Sequence, residues 1–381
     1  MNKFEVIAPC HFGMEAVLKR EITDLGYQIT CVDNGKVTFM GEEDIVARAN
    51  IFLRTTERIL LKIGSFHAET FDELFEGVKD LPWERYLPKD AKFWVAKANS
   101  INSKLFSPSD IQRVVKKAMV DRLASHYHTE VFPETGASYP LRISIVKNEV
   151  TIGMDTTGTS LHKRGYRKFT APAPVTETLA AALIMLTPWK AGRLLMDPFC
   201  GSGTIPIEAA MIAADIAPGM NREFTAIDWT SLIPANTWKE AYREAKDKVL
   251  PNPEEILIQG YDIDTGAVKM ARENAKLAGV DKQIHFQTRD IADFNTHKKF
   301  GFVISNPPYG ERLSGKNDLP QLYRIIGDIM KRAQTWSYYF LSGYEEAEKY
   351  IGKKATKNRK IYNGMIKTYY YQYIGIKPER R

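Results

Sequence analysis

The fold is decided by residues 194–204, which read LLMDPFCGSGT. An apolar run ends at Asp197, a tight turn with Gly201 and Gly203 follows, and a helical pattern continues over residues 205–214. Glycines let the backbone approach a ligand closely, and the N-terminus of a helix favours a carboxylate or a phosphate. The stretch therefore predicts a strand, a turn and a helix around a ligand loop, although the same glycines can serve packing alone.

Apolar runs alternate with helical patterns from about residue 174 onwards. Beyond the run at 193–199, the further apolar runs are 256–264, 284–290, 301–309 and 336–343. Buried strands separated by helices are typical of an α/β fold with a doubly wound parallel sheet. Residues 361–376 turn at Asn363-Gly364, which predicts a hairpin that adds antiparallel strands to the sheet edge.

The first 155 residues carry shorter, mixed elements. Residues 1–63 alternate strand and helix around a hairpin at Asn34-Gly35, which predicts a small α+β domain. A second α+β unit is expected over residues 64–155. Residues 156–173 lack periodicity and are expected to be a linker, and residues 174–381 form the last domain. Within it, residues 217–256 interrupt the alternation and are expected to be an insertion, either a lid or padding.

Composition bounds the class of protein. The chain has 381 residues, of which 44% are hydrophobic and 26% charged, so disordered and fibrous classes are excluded. Three cysteines are too few for a disulfide framework and none has the CxxC spacing, so no metal site is expected. Neither a signal peptide nor a membrane span is visible, and a cytoplasmic protein is therefore expected.

The positive charge is unevenly distributed. The net charge is +7, but residues 1–91 hold 11 basic and 16 acidic side chains, whereas residues 92–170 hold 13 and 6. Residues 349–378 add eight basic side chains and no acid. Either zone alone is most simply a solvated surface, but two basic zones on either side of a site favour a polyanionic partner.

The ligand loop does not match the common nucleotide fingerprints. Pro206 stands where the dinucleotide motif has a third glycine or alanine, and the P-loop sequence GK[ST] is absent. Asp197 before the loop would repel a pyrophosphate, whereas it suits a cation such as the amino-acid moiety of S-adenosylmethionine.

Carboxylates at the ends of the next two strands favour a nucleoside. Asp262 ends the second strand, where it can accept both ribose hydroxyls, and Asp264 is expected to cap the following helix. Asp290 ends the third strand, where it can accept from an adenine amine with Ile291 beside the ring. Either aspartate can instead be a plain cap at the end of a strand.

The motif Asn306-Pro307-Pro308-Tyr309 follows the fourth apolar strand. Its prolines remove two amide donors and leave the Asn306 side-chain oxygen and the Pro307 carbonyl as acceptors. Two acceptors that hold the hydrogens of an exocyclic amine stabilise the charge that develops as its nitrogen attacks a methyl group. Tyr309 offers a face on which a flipped base can stack. The alternative is a proline turn after a strand.

Taken in order, DPFCGSGT, GYDID and NPPYGERL resemble the class I S-adenosylmethionine-dependent methyltransferases that act on exocyclic amines. Residues 64–155, which lead into LHKRGYR, resemble a THUMP RNA-binding domain preceded by a ferredoxin-like domain. The whole chain is thus similar to the THUMP-containing RNA guanine-N2 methyltransferases, a family once described as N6-adenine-specific DNA methylases. The resemblance implies a Rossmann-like catalytic domain.

This resemblance implies roles for individual residues. The residues implied at S-adenosylmethionine are Asp197, Pro198, Phe199, Cys200, Gly201, Gly203, Thr204, Asp262, Ile263, Asp290 and Ile291, with Thr176 as a weaker candidate. Cys200 is expected to be a packing residue rather than a nucleophile. The residues implied at the target amine are Asn306 to Tyr309. The candidates for RNA phosphates are Lys163, Arg164, Arg167 and Lys168 near the linker and Arg113, Lys116 and Lys117 on a helix.

The resulting hypothesis is methylation of a guanine N2 amine in RNA, with ribosomal RNA favoured over transfer RNA, by direct transfer without a covalent enzyme intermediate. Adenine-N6 methylation of DNA or RNA stays open, because the NPPY motif serves both amines. Methylation of a glutamine side chain is disfavoured by the basic second domain. A non-catalytic RNA-binding assembly factor is the alternative from another class.

Overall fold

The computed structural model describes residues 3–168, 175–251, 255, 257–309, 318–364 and 366–376. Two seven-stranded sheets dominate it, one in each half of the chain. Within those ranges no helix combines the length and the apolar character needed to span a membrane. The same residues contain no cluster of three or more His, Cys, Asp or Glu side chains arranged to hold a metal ion.

The first sheet has the strand order β2-β3-β1-β4-β7-β6-β5 and is antiparallel except for the pair β5 and β6. Its strands are β1 (Phe4–Pro9), β2 (Gln28–Asp33), β3 (Lys36–Gly41), β4 (Leu60–His67), β5 (Lys92–Ile101), β6 (Ser138–Val146) and β7 (Glu149–Asp155). The accompanying helices are α1 (Glu15–Asp24), α2 (Asp44–Phe52), α3 (Phe71–Lys79) and α4 (Pro108–Tyr127). The hairpin predicted at Asn34-Gly35 is formed, since Asp33 pairs with Lys36.

Strand β4 joins the two halves of this sheet. It pairs with β1 through Leu61 and Val6, and with β7 along most of its length. One hydrophobic core runs under both halves. The boundary expected between residues 63 and 64 therefore falls inside a strand that the ferredoxin-like and THUMP units share.

The second sheet has the order β10-β9-β8-β11-β12-β14-β13, with five parallel strands followed by an antiparallel hairpin at the edge. Its strands are β8 (Leu195–Asp197), β9 (Ile258–Asp262), β10 (Ile284–Thr288), β11 (Phe302–Ser305), β12 (Ser337–Ser342), β13 (Lys357–Asn363) and β14 (Ile366–Tyr373). The helices of this half are α5 (Glu177–Met185), α6 (Thr204–Ala213), α7 (Ala235–Asp247), α8 (Thr265–Leu277), α9 (Asp318–Arg332) and α10 (Ala347–Ile351). The predicted doubly wound α/β domain is confirmed.

The topology fixes where a ligand binds in this sheet. The chain moves outward from β8 to β9 and β10 on one side, and then to β11 and β12 on the other. A crevice opens where the strand order reverses, outside the carboxyl ends of the strands. The loops after β8 and β11 meet at this crevice.

Residues 156–173 were expected to be a linker. Residues 169–173 lie outside the described part of the chain, and over residues 156–168 the structure corrects this expectation. The segment has no helix or strand, in keeping with its lack of periodicity, but it is packed against both halves of the protein. Thr156 and Thr157 are fully buried, and the Thr156 amide donates to the Ile59 carbonyl. Arg222 donates to the carbonyls of Ser160 and Lys163. The segment is therefore a fixed part of the interface rather than a solvated connection.

The insertion at 217–256 packs against the first sheet. Trp229 is fully buried, its ring stacks on Tyr139 at 4.8 Å, and its indole N–H donates to the Ser138 carbonyl. On helix α7, Glu244 forms a two-pronged ion pair with Arg48 of α2. These contacts join the second half of the chain to the core of the first. The described part of the insertion therefore acts as a brace that holds the two halves together, and it is not mere padding.

Candidate functional site

The glycine loop follows β8 and begins helix α6. Gly201 and Gly203 both have positive φ, at 52° and 87°. A Cβ atom at Gly203 would lie 2.9 Å from the Cβ of Ala271 and 3.2 Å from the ring of Phe286. Gly203 therefore serves both the turn and the close packing of α6 against α8, so the packing role and the ligand role coexist in this loop.

Asp197 ends β8 and is buried, with 1% of its surface exposed. Its carboxylate accepts a hydrogen bond from the Phe199 amide at 3.1 Å and a short one from the Ser305 hydroxyl. Burial raises the pKa of Asp197 to about 7, against the lowering effect of these two hydrogen bonds. Ser305 directly precedes Asn306, so this contact ties the cofactor loop to the predicted amine motif.

Asp262 ends β9 beside the glycine loop. One carboxylate oxygen accepts from the Gly201 amide at 2.9 Å, and the other accepts from the Asp264 amide at 3.0 Å. A carboxylate has about four lone-pair sites, so each oxygen keeps capacity for a hydroxyl donor. Ile263 is 70% exposed beside it. Asp264 accepts from the Gly266 amide at 2.7 Å, which confirms it as the predicted cap of α8.

Asp290 follows β10 and is exposed, with one carboxylate oxygen accepting from the Ala292 amide at 2.9 Å. A small cavity lies next to it, at the carboxyl ends of β8, β9 and β10. Its lining residues are Met196, Pro198, Tyr261, Arg289, Asp290, Ile291 and Phe294. The fold thus brings Pro198, Asp290 and Ile291 together as predicted. Sequence reasoning missed two of these lining residues, Tyr261 and Arg289. The Arg289 guanidinium lies 5.4 Å from the centre of the Tyr261 ring.

The amine motif leaves β11 at the same edge of the sheet. Asn306 and Pro308 are half-buried, whereas Pro307 is buried. The Tyr323 hydroxyl donates to the Pro308 carbonyl at 3.4 Å and contacts the Ser342 hydroxyl at 2.5 Å. This hydrogen-bonded group fixes the backbone of the motif, and nothing in the local sequence pointed to it.

Tyr309 is only 4% exposed. Its hydroxyl accepts from the Asn363 side-chain amide at 3.1 Å, and its ring lies against the backbone of Gly343. Stacking of a base on Tyr309 stays a prediction, and it requires the ring to become more accessible than it is in this conformation.

The remaining loop candidates lie in different surroundings. Cys200 is buried, and burial raises the pKa of its thiol well above the usual value, in keeping with a packing residue. Thr204 is the first residue of α6 and is 6% exposed. Thr176 caps α5 by accepting from the Leu179 amide, and its hydroxyl lies 3.4 Å from His11 Nε2. Its assignment to the cofactor stays a prediction.

The structure corrects the assignment of Arg164 to RNA phosphates. Arg164 is 3% exposed, and it forms a buried ion pair with Glu208 of α6 at 3.5 Å. Its guanidinium also donates to the carbonyls of Leu161 and Arg54. A residue enclosed in this way cannot reach a phosphate at the surface. The sequence shows only that this residue is charged, whereas the fold pairs the charge with a buried carboxylate.

Arg167 is similarly engaged. Its guanidinium pairs with the buried carboxylate of Glu177 at 3.0 Å and donates to the Val175 carbonyl. In contrast, Lys163 and Lys168 are exposed and remain candidates for RNA phosphates.

The candidates on α4 are mostly at the surface. Arg113 is exposed and pairs with Asp110, and Lys117 is exposed. Lys116 is half-buried, and its ammonium donates to the Phe93 carbonyl and lies 3.6 Å from the centre of the Phe93 ring. The first two remain candidates, whereas Lys116 has a structural partner.

Comparisons with known proteins identify the domains of the chain. The family model of the RMKL-like methyltransferase domain matches residues 164–372. The model of the RlmL ferredoxin-like domain matches residues 5–60, and that of the THUMP domain matches residues 68–155.

Similar proteins share the whole arrangement. A Bacillus subtilis (strain 168) protein named "Putative RNA methyltransferase YpsC" is 45% identical over 100% of this chain and 99% of its own length. The ribosomal RNA large subunit methyltransferase K/L of Syntrophotalea carbinolica is 32% identical over 96% of this chain, which spans only 52% of that protein. The crystal structure of SMU.472 complexed with SAH is 39% identical, covers 100% of both chains and has a TM-score of 0.92.

Proposed function

Because the chain belongs to the RMKL-like methyltransferase family, we propose that it transfers a methyl group from S-adenosylmethionine to the exocyclic N2 amine of a guanosine in 23S ribosomal RNA. The names of the relatives support RNA as the substrate and the large ribosomal subunit as its source. This chain spans only 52% of that K/L protein, so the activity of the whole K/L protein is not assigned to it.

The single observation that carries the proposal is the hydrogen bond from the Ser305 hydroxyl to the Asp197 carboxylate. Asp197 ends β8 and leads into the glycine loop, and Ser305 directly precedes Asn306. The loop that suits a cofactor and the motif that suits an amine are thereby fixed side by side, at the crevice between β8 and β11.

The residues at the crevice fit S-adenosylmethionine. Gly201 and Gly203 have backbone conformations that bring the loop close to a ligand, and Asp262 has room to accept ribose hydroxyls. Asp197 is the anion for the ammonium of the amino-acid part, and the cavity beside Asp290 supplies the edge of the adenine subsite. The bound cofactor supplies a methyl group on a positively charged sulfur.

The chain's own residues act on the target amine. The Asn306 side-chain oxygen and the Pro307 carbonyl accept the two amine hydrogens, so the nitrogen lone pair is turned toward the methyl group. Hydrogen bonds to a group that becomes charged are worth about 1.5–3 kcal/mol each, and about 1.4 kcal/mol is tenfold in rate. The nitrogen would attack the methyl carbon in line as the bond between that carbon and sulfur breaks. The sulfur would keep the electron pair of that bond and become neutral, one amine proton would pass to solvent, and no covalent bond to the enzyme would form.

The proposal is tested by nucleoside mass spectrometry of 23S and transfer RNA from cells with and without the gene. Loss of one N2-methylguanosine from 23S RNA supports it. Loss of N6-methyladenosine, or loss from transfer RNA alone, assigns a different amine or a different RNA. No change in any methylated nucleoside would favour a non-catalytic RNA-binding factor.

Purified protein gives the matching test of the site. Asn306→Ala should abolish methyl transfer while the dissociation constant for S-adenosylhomocysteine, measured by calorimetry, stays within about twofold of the wild type. The control variant Asn236→Ala removes an exposed asparagine of α7 and should leave both unchanged. Normal turnover by Asn306→Ala would contradict the assignment of the amine motif.

A further inference from the structure

The first sheet has a second face whose role the proposed catalysis does not explain. Alternate residues of a strand point to opposite faces, and residues such as Val6 and Ala8 enter the core with the helices. The opposite face forms a groove of about 450 Å³ that crosses from β3 to β5. We call it the open face, and define it by Lys36, Arg58, Lys97, Asn99, Arg142 and Thr151.

Two arginines are held side by side in this groove. Arg58 and Arg142 both donate to the same oxygen of Asp155, at 2.7 Å and 2.8 Å, and the Asp155 side chain is only 3% exposed. One buried negative charge therefore holds two guanidiniums in a fixed position. The groove also contains Glu57, but its four basic side chains outnumber the carboxylates of Asp155 and Glu57, so an excess positive charge remains. Guanidinium groups present a planar fork of donors that matches a phosphate.

Two lysines extend this charge on either side. Lys97 is exposed, faces Arg142 across the pair of β5 and β6, and has no ion-pair partner among the residues that the structure describes. Lys36 lies on β3, and within the described ranges its ion-pair partner is the exposed Asp33, at 3.6 Å. At ~4.8 Å between neighbouring strands, the cations cover ~24 Å from β3 to β5.

The register places the lysines of the groove on two cross-strand lines, and Arg58, which precedes β4, shares Asp155 with Arg142. Lys97 and Arg142 lie on the same cross-strand line as Gly153, whereas Lys36 lies opposite Pro9, near the other end of the groove. Gly153 has no side chain to fill the groove, and a Cβ there would lie 2.9 Å from the Cβ of Leu60. Basic side chains spread across a concave surface in this way can contact successive phosphates of one strand.

The open face is connected to the amine motif through β13. Arg359 of β13 donates to the Gly13 carbonyl at 2.6 Å, and the amides of Gly13 and Gly35 share the Glu15 carboxylate. Gly35 lines the groove. Further along the same strand, the Asn363 side-chain amide donates to the Tyr309 hydroxyl. One strand thus leads from the groove to the catalytic crevice.

We propose that the open face binds a single-stranded segment of the RNA substrate through its phosphates, and that the strand continues along β13 to the amine motif. The inference rests on the proposed function for the identity of the polyanion. Trp94, which is 39% exposed on the edge strand β5, offers a ring for stacking outside the groove. The residues that line the groove are basic, polar or aliphatic apart from Glu57, and none of them is aromatic. The open face therefore holds RNA with little reading of its bases.

The test measures RNA affinity rather than methyl transfer, so that it can fail independently of the proposed function. The double variant Lys36→Gln/Lys97→Gln removes two cations from the groove without exposing a buried charge. The probe is a fluorescein-labelled oligouridylate, titrated by fluorescence anisotropy at several salt concentrations. A hairpin RNA of equal length serves as the duplex probe.

Each phosphate contact contributes about 0.7 to the salt slope for a single strand. The double variant should therefore lower the slope by about 1.4 and weaken binding about 25-fold at about 0.1 M salt. Lys239→Gln, on the exposed side of α7, is the matched control and should bind as the wild type does. Arg142→Gln should weaken binding as well, and its circular dichroism spectrum checks that it folds.

Three results would overturn the inference. Wild-type affinity and slope in the double variant would show that the open face does not hold the strand. Loss of affinity in Arg113→Gln/Lys117→Gln, with the open-face variant unaffected, would place the RNA on α4 instead. A change confined to the hairpin probe would assign the face to duplex RNA. None of these results bears on whether the crevice transfers methyl groups.

Discussion

The affinity for the cofactor should depend on pH through Asp197. This carboxyl is buried at the end of β8, and burial raises its pKa to about 7. The ammonium of the cofactor's amino-acid part interacts favourably with the ionised carboxylate only. Because its pKa is raised, the Asp197 carboxyl of the free protein stays protonated up to about neutral pH. Below neutral pH, binding of the cofactor must therefore release this proton.

The size of the effect follows from the ionised fraction. With a pKa of about 7, roughly a tenth of the carboxyl is ionised at about pH 6 and roughly nine tenths at about pH 8. The dissociation constant should therefore be about tenfold larger at the lower pH, and it should level off above about pH 8. Binding at the lower pH should also release close to one proton.

Calorimetry with S-adenosylhomocysteine in buffers of different ionisation enthalpy measures both quantities. Methylthioadenosine, which lacks the amino-acid part, is the matched control ligand and should bind with little pH dependence. Asp197→Asn should bind S-adenosylhomocysteine weakly at every pH in this range.

Ser305 gives a second test of the same reasoning. Its hydroxyl donates to the Asp197 carboxylate and stabilises the ionised form. A hydrogen bond to a charged group is worth about 1.5–3 kcal/mol, so Ser305→Ala should move the midpoint of the binding curve upward by roughly one to two pH units. A wild-type dissociation constant that is constant over this pH range, or a pH dependence that survives in Asp197→Asn, would refute the role of this carboxyl.

Three stability predictions follow from the packing, each measured as the free energy of unfolding in urea. Gly203→Ala should cost about 2–4 kcal/mol, because φ is 87° and the added Cβ would meet Ala271 at 2.9 Å; no loss would show that the loop relaxes freely. Arg164→Met should cost about 3–5 kcal/mol by leaving Glu208 buried and unpaired, and an equal loss in the control Lys163→Met would contradict this reason. Trp229→Ala should cost about 3–5 kcal/mol if the insertion braces the first sheet, and a loss below about 1 kcal/mol would argue against the brace.

Local signals were sufficient for much of the fold. The hairpin at Asn363-Gly364 is formed, with Gly364 at a positive φ of 62° and Asn363 paired with Ile366. Helix α4 begins after Ser107, whose side chain accepts from the Asp110 amide, and has Pro108 in its first turn. Turn residues, caps and the period of the apolar positions act over a few residues, so the sequence displays them directly.

The main residues of the candidate site could also be predicted from the sequence. Asp197, Asp262 and Asn306 each follow an apolar strand, and parallel strands end at the same edge of a sheet. The residues that hold these site residues in place could not be predicted from the sequence. Ser305 lies 108 residues from Asp197, and Tyr323 lies 15 residues beyond Pro308, and neither has a motif of its own.

The sequence by itself determined the order of elements, the ligand loop and the type of chemistry, because these depend on residues that are near one another along the chain. Only the tertiary structure decided which charges are available. Arg164 and Arg142 look alike in sequence, yet one is enclosed with Glu208 and the other faces a groove beside Arg58. Burial and shared partners arise from contacts between residues tens to hundreds of positions apart, and no local pattern records them.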